Sequence, residues 1–178
     1  MEALGDDELI LFLDECCVHH APTKMRMWAP KGQPPVIKTP GGKRKKNITG
    51  AVDPKNGKVH AAFHEKLNAT GFLRYLKSLL FRHDDLRKLY VVLDNARIHH
   101  AKLLKPFLDR VKHKLELVFL PPYSPDLNPA EFFWKYLRKT VTHNTFYEKF
   151  DDFAQTLRDF LEKCKTGVTE VMSLCQFS

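Results

Sequence analysis

The sequence predicts an α/β fold, a five-stranded mixed sheet flanked by helices. Three observations carry that expectation. Apolar runs of strand length are interleaved with longer segments whose apolar residues recur at helical spacing. Two β-rich runs are joined by Asp53-Pro54-Lys55-Asn56-Gly57, whose Pro and Asn-Gly suit a hairpin turn. The run Leu9-Ile10-Leu11-Phe12-Leu13 is apolar without alternation and too short for a helix, as expected of a strand buried on both faces.

The elements follow in order. The first strand covers residues 9–14, with Asp14 marking its exit. From Cys16 to Lys46 the chain is rich in Pro, Gly and Lys, which predicts short strands and loops over one sheet edge, with an exposed basic end. Asn47–Val52 and Lys58–His64 form the hairpin, which is expected to pair with the first strand. A helix over about 70–81 carries Phe72, Leu73, Leu76, Leu79 and Leu80 on one face, with Asn68 or Thr70 as its cap. Tyr90–Leu93 is the fourth strand. Leu103, Leu104, Phe107, Leu108 and Val111 then mark a helix that Pro106 kinks or delays. Leu115–Leu120 is the fifth strand. Asn128-Pro129 supplies an N-cap followed by proline at the first helical position, with Phe133, Tyr136, Leu137 and Val141 on one face. Thr145-x-x-Glu148 has capping-box spacing before a last helix bearing Phe150, Phe153, Leu157, Phe160 and Leu161.

At 178 residues the chain suits one domain with a single sizeable core. Its 29 Lys and Arg against 21 Asp and Glu give a net charge of +8, which favours a polyanionic partner. No apolar stretch approaches the roughly 18 residues of a membrane span. The four cysteines form no C-x-x-C pair, and acidic residues precede the first apolar run, so reduced thiols in a cytoplasmic protein are expected. Paired histidines such as His60-x-x-x-His64 lack a Cys/His ligand set of zinc-site spacing.

Three acids stand apart. Asp14 and Asp94 each end an apolar run, and Glu131 falls in the first turn of a helix. A carboxylate at the end of a hydrophobic strand is costly to desolvate unless solvated, paired or bound to a cation. Hard divalent ions take such oxygens, and cations about 4 Å apart can activate water and neutralise a leaving oxygen in phosphodiester cleavage. If the first and fourth strands are parallel neighbours, Asp14 and Asp94 leave the sheet at one edge and Glu131 closes the third side. Each acid also has a plain structural reading: a solvated strand end for Asp14, an Asx turn for Asp94, a capping-box glutamate for Glu131.

The segments Leu93-Asp94-Asn95-Ala96-Arg97-Ile98-His99-His100 and Leu120-Pro121-Pro122-Tyr123-Ser124-Pro125-Asp126-Leu127-Asn128-Pro129-Ala130-Glu131, with Trp134, resemble the second and third acidic motifs of DDE transposases. The branch is that of bacterial insertion sequences in the Tc/mariner superfamily. The 37 positions between Asp94 and Glu131 suit it, Phe12-Leu13-Asp14-Glu15 resembles its first motif, and the similarity covers about residues 9–160. The resemblance implies a ribonuclease H-like fold and two Mg2+ or Mn2+ ions held by Asp14, Asp94 and Glu131. It also implies strand cleavage at transposon ends, followed by attack of the freed 3′-hydroxyl on target DNA. Asp126 is a rival third ligand, but Glu131 stands at the family position.

Asn95 and His99 match the family's D-N-x-x-x-H pattern and are auxiliary candidates, as carboxylate-orienting or phosphate-contacting groups. Lys43, Arg44, Lys45 and Lys46, and more weakly Trp28, Lys31 and Arg138, are candidates for DNA contact. Phe132, Phe133 and Trp134 read as packing residues. Residues 1–178 are expected to form a single catalytic domain, with 16–46 as a loop-rich insertion bearing a basic hairpin. The helix-turn-helix modules that precede such domains in the family are expected to be absent, supplied by a separate polypeptide, and a homodimer is the family expectation. The alternatives are a structure-selective ribonuclease H-like nuclease and a decayed or domesticated remnant that only binds DNA.

Overall fold

A computed structural model describes residues 5–122 and 124–175. Five strands, β1 (Glu8–His19), β2 (Lys45–Asp53), β3 (Lys58–His64), β4 (Lys88–Leu93) and β5 (Leu115–Phe119), form one sheet in the order β3-β2-β1-β4-β5. Five α-helices accompany them: α1 (Ala69–Arg82), α2 (Lys105–Val111), α3 (Pro129–Val141), α4 (Phe150–Cys164) and α5 (Thr169–Cys175).

Strand β1 organises the sheet by using its two flanks in succession. Glu8–Phe12 runs parallel to Lys88–Val92 of β4, and Phe12–His19 runs antiparallel to Lys45–Val52 of β2. Asp14 is therefore not the exit of the strand. It sits in mid-strand, two residues beyond the last β1–β4 pair, Phe12 with Val92. The strand continues because Cys16 and Val18 still bury their side chains on the face that Asp14 shares. As expected, the β2–β3 hairpin pairs with β1; the first and fourth strands are parallel neighbours, which meets the condition for gathering Asp14 and Asp94 at one edge.

Side-chain alternation divides the interior in two. Leu11 and Leu13 of β1, with Leu89, Val91 and Leu93 of β4, pack under Phe72, Tyr75, Leu76 and Leu79 of α1. Cys16, Val18, Ile48 and Val52 pack on the other face against Phe133, Trp134 and Leu137 of α3 and Phe153 and Leu157 of α4. Each buried Leu or Phe contributes about 1.5–3 kcal/mol, so these layers fix the positions of α1 and α3 against β1.

Local chemistry settles the remaining boundaries. Asn68 caps α1 by accepting from the Gly71 N–H at 2.9 Å. Pro106 delays α2, which begins at Lys105 after two 3-10 turns at Arg97–His100 and Lys102–Leu104. The expected capping box at Thr145 does not form. Thr145 Oγ1 donates to the His143 carbonyl at 3.1 Å, and α4 starts at Phe150 with Lys149 as its uncapped boundary. Asp151 and Asp152 in the first turn complement the helix dipole instead.

The expected short strands between Cys16 and Lys46 are also absent: β1 and β2 reach into this segment from both sides, leaving 20–44 irregular. That segment is tied down near its start, where the Thr23 N–H donates to the Thr142 carbonyl and the Met25 N–H to Asn144 Oδ1. Cys16, Cys17 and Cys164 are free thiols. Among the described residues, no helix is long and apolar enough to cross a membrane.

Candidate active site

The parallel register brings the two aspartates together. With Phe12 opposite Val92, the next residues of like parity are Asp14 and Asp94, the latter directly after β4. A cleft of about 440 Å³ opens there, and Asp14, Asp94 and Glu131 all line it, together with Asn95, Asn128, Pro121, Pro122 and Ser124. Asp126, the rival acid, is exposed in a 3-10 turn at Pro125–Leu127. Tyr123 lies outside the described residues. Among the described residues no group of three His, Cys, Asp or Glu side chains stands ready-placed to hold a metal ion.

Asp14 is held from two directions. Its Oδ1 accepts the Glu15 N–H at 2.8 Å and its Oδ2 accepts Trp134 Nε1–H at 3.0 Å. Burial pushes its carboxyl up to about 7; the Glu15 N–H opposes this, and the nearby charges of Glu131, Glu15 and Asp94 add to it. The indole reaches Asp14 because Gly50 lies opposite it in β2. A Cβ at Gly50 would lie 2.7 Å from the Trp134 ring. The isolated glycine inside a strand pattern was the available signal for that close approach.

Asn128 carries two connections at once. Its Oδ1 accepts the Ala130 N–H at 3.1 Å, capping α3, and its Nδ2 donates to the Leu13 carbonyl at 3.1 Å. The side chain is buried, so the start of α3 is pinned to the residue before Asp14. Pro129 fits the first helical position, and Glu131 follows in the first turn, facing the cleft. No hydrogen bond joins the Glu131 carboxylate to the Asn128 N–H among the described residues, so the capping-box reading of Glu131 has no counterpart in the fold.

Asp94 opens an Asx turn, accepting the Ala96 N–H at 3.0 Å, while 58% of its side chain stays exposed toward the cleft. Asn95 Nδ2 donates to the Leu120 carbonyl at 2.6 Å, joining the ends of β4 and β5. His99 lies beneath, with its side chain fully buried and its ring 4.5 Å from that of Phe72. Its Nδ1 is 3.1 Å from both the carbonyl oxygen and Oδ1 of Asp94, and its Nε2 is 3.2 Å from the Glu15 carboxylate. Burial pulls the His99 pKa down, but the Glu15 and Asp94 oxygens outweigh it and the net shift is upward. Asn95 thus ties the β4 exit to the end of β5, and His99 meets the Asp94 backbone and carboxylate.

The basic candidates lie elsewhere. Lys45 and Lys46 begin β2 opposite His19 and Val18, about 17 and about 13 Å along β1 from Asp14 at strand spacing. They form part of a ladder rather than the tip of a hairpin. Arg44 stacks on Phe150 at 3.9 Å, and Lys46 lies 5.2 Å from the same ring. Arg138 turns back toward β1, its Nη2 donating to Cys16 Sγ at 3.0 Å. Trp28 and Lys31 are exposed on the irregular segment.

Comparison with known proteins agrees with this geometry. The family model for the DDE superfamily endonucleases matches residues 9–154. The chain is 26% identical over 153 residues to the insertion element IS630 39 kDa protein of Shigella sonnei, covering 86% of this chain and 44% of that protein. It is 31% identical over 105 residues to the y4pE/y4sA protein of Sinorhizobium fredii, covering 59% of this chain and 74% of that one. Among solved structures it resembles a Mos1 transposase paired-end complex with the left transposon end, with a TM-score of 0.69 at 18% identity over 93% of this chain and 52% of that one. The isolated Mos1 mariner catalytic domain also matches, with a TM-score of 0.59 at 17% identity over 96% of this chain and 78% of that one. These likenesses establish the ribonuclease H-like fold, and the chain spans about half the length of the first relatives it matches. The matched region runs through all three acidic segments, and the chain belongs to the DDE superfamily endonucleases.

Proposed function

We propose that this chain is the catalytic domain of an insertion-sequence transposase that cleaves DNA at the ends of its element and joins the freed 3′-hydroxyl to target DNA. One observation carries the reading: carboxylates from β1, β4 and α3, far apart in sequence, line a single cleft at the end of the β1–β4 ladder. The Mos1 complexes solved with transposon-end DNA, with Mg and with Mn support it.

The donor set fits a pair of hard divalent ions, Mg2+ or Mn2+. Asp14 is forced toward its protonated form by burial and by the other acids, and that penalty is one a cation removes. Asp14, Asp94 and Glu131 would hold the metal, which when bound polarises the phosphate, activates water and stabilises the leaving oxygen. Trp134 and the Glu15 N–H aim the Asp14 carboxylate, the Asx turn and His99 aim Asp94, and Asn128 sets the helix that presents Glu131. The +8 charge and the basic start of β2 draw the DNA backbone. A second copy of the chain for pairing two ends, a separate end-reading helix-turn-helix polypeptide and a cytoplasmic setting on nucleoid DNA complete the proposal.

The test is strand joining. A duplex with a precut 3′-end, incubated with the chain, plasmid target and Mn2+, is expected to yield joined products that disappear on chelation. Metal-dependent nicking without joining would replace this reading with that of a hydrolytic nuclease, and binding without either reaction would leave only a DNA-binding remnant.

A further inference from the structure

We propose that Glu15 is a positioning residue for Asp94, acting through the His99 ring from the opposite face of the sheet. The inference rests on the reading of Asp94 as a metal ligand.

Glu15 follows Asp14 in mid-strand, so the two carboxyl groups point to opposite faces. Asp14 meets Trp134 on the α3 side. Glu15 lies on the α1 side, in a closed recess bounded by Thr49, His64, Asn68, Phe72 and Ile98. Only 10% of its side chain is exposed, and a carboxylate placed there without a donor would be costly. The donor is His99 Nε2, 3.2 Å from both carboxylate oxygens.

The other edge of the same ring engages Asp94 twice, at the backbone carbonyl and at Oδ1, both at 3.1 Å. A buried imidazole held at one nitrogen has little freedom to turn about its ring bond, and Phe72 packs 4.5 Å from it on one side. Glu15 therefore fixes the plane of the ring, and the ring fixes the first backbone unit beyond β4 and the direction of the Asp94 carboxylate. The carboxylate that faces the cleft and the carboxylate hidden behind it are two ends of one hydrogen-bonded chain. Groups one bond removed from a metal ligand commonly change metal affinity or activity by about 10–100-fold. Because Glu15 and Asp14 are neighbours in β1, the same strand segment disposes both aspartates, one directly and one through histidine.

The experiment compares the full chain with Glu15→Ala and Glu15→Gln, each checked for a cooperative melt. Three readouts are taken: backbone and ring-nitrogen resonances at Asp94–Ala96 and His99, Mn2+ affinity by calorimetry, and kcat and KM for Mn2+-dependent nicking of a duplex. Glu15→Ala is expected to move the Asp94–Ala96 resonances and to weaken Mn2+ binding and kcat by about 10–100-fold, with KM for DNA unchanged. Glu15→Gln keeps an oxygen that accepts from Nε2 and is expected to recover most of the loss. If Glu15→Ala does not fold, Glu15→Asp, which withdraws the carboxylate from the ring, carries the same comparison. Resonances at Asp94–Ala96 that stay in place, or Mn2+ affinity within twofold of the parent, would overturn the proposal. Should the parent chain itself neither bind Mn2+ nor cut DNA, the transposase reading fails, while the resonances still decide whether Glu15 positions Asp94.

Discussion

The carboxylate cleft and the irregular segment 20–44 differ in how much of their geometry the chain supplies for itself. Asp14, Asp94 and Asn128 each have protein partners within about 3 Å, drawn from β1, α3 and the turn after β4, so two acids of the cleft and the helix that bears the third are set by the folded core. In the segment, Trp28 is fully exposed and Val36 is 92% exposed, although large apolar side chains normally find cover. Its ties lie at its ends, near Thr23 and Met25, where it meets the end of α3, and at Arg44, whose carbonyl accepts from the His20 N–H and whose guanidinium lies on Phe150. The carboxylate geometry is therefore built into the fold, whereas Trp28 and Val36 stand open to solvent. Under the proposed function, strand cleavage and DNA binding are then separable by substitution.

Three variants test that separation. Asp94→Asn should have the largest effect, lowering Mn2+-dependent nicking by about three orders of magnitude, as expected for several kcal/mol of lost charge stabilisation. Electrophoretic mobility shifts should show DNA binding unchanged or tighter, since a repulsive charge is gone; a mutant that cuts like its parent would show that Asp94 is not part of the machinery. Gly50→Ala comes next. Its methyl would press into the Trp134 ring, at a cost of about 1–3 kcal/mol in thermal or denaturant unfolding, and the displaced indole would release Asp14. A variant of unchanged stability and activity would mean that the indole moves freely and does not aim the carboxylate. Replacing Lys43, Arg44, Lys45 and Lys46 together with Ala should have the smallest effect on the cleft. It should weaken binding by about two to three orders of magnitude at physiological salt and reduce the salt slope by about 3–4, with the rate at saturating DNA retained. An unchanged slope would move the polyanion site to another face.

Much of this was legible in the sequence because hydrophobic periodicity and turn chemistry are local signals. The Asn-Gly hairpin, the helices under Phe72 and Phe133, and the parallel pairing of the first and fourth strands all emerged in their expected places. The end of β1 did not. A charged residue was read as a strand exit, but a strand has two faces, and Cys16 and Val18 keep the Asp14 face buried beyond it. The box at Thr145 failed for a related reason: the packing of Phe150 and Phe153 sets where α4 begins, and a four-residue motif cannot report it.

Within the cleft, the three acids could be named from residue types and their neighbours. Trp134, Asn128 and Glu15 could not be assigned their contacts, because each acts across more than 80 residues of chain. Trp134 looked like packing and is packing; only the fold reveals that its one polar atom meets Asp14.

The double bond-making of Asn128 has a consequence for how such domains can vary. The third acid is indexed to β1 three residues before it occurs, by an amide that grips the Leu13 carbonyl. The connection between Leu120 and Asn128 does not set that alignment. Residues could be gained or lost there, changing the count between Asp94 and Glu131, while the glutamate stays at the same height over the sheet. Spacing between the last two acids can thus drift among relatives as long as the amide at the helix start is kept.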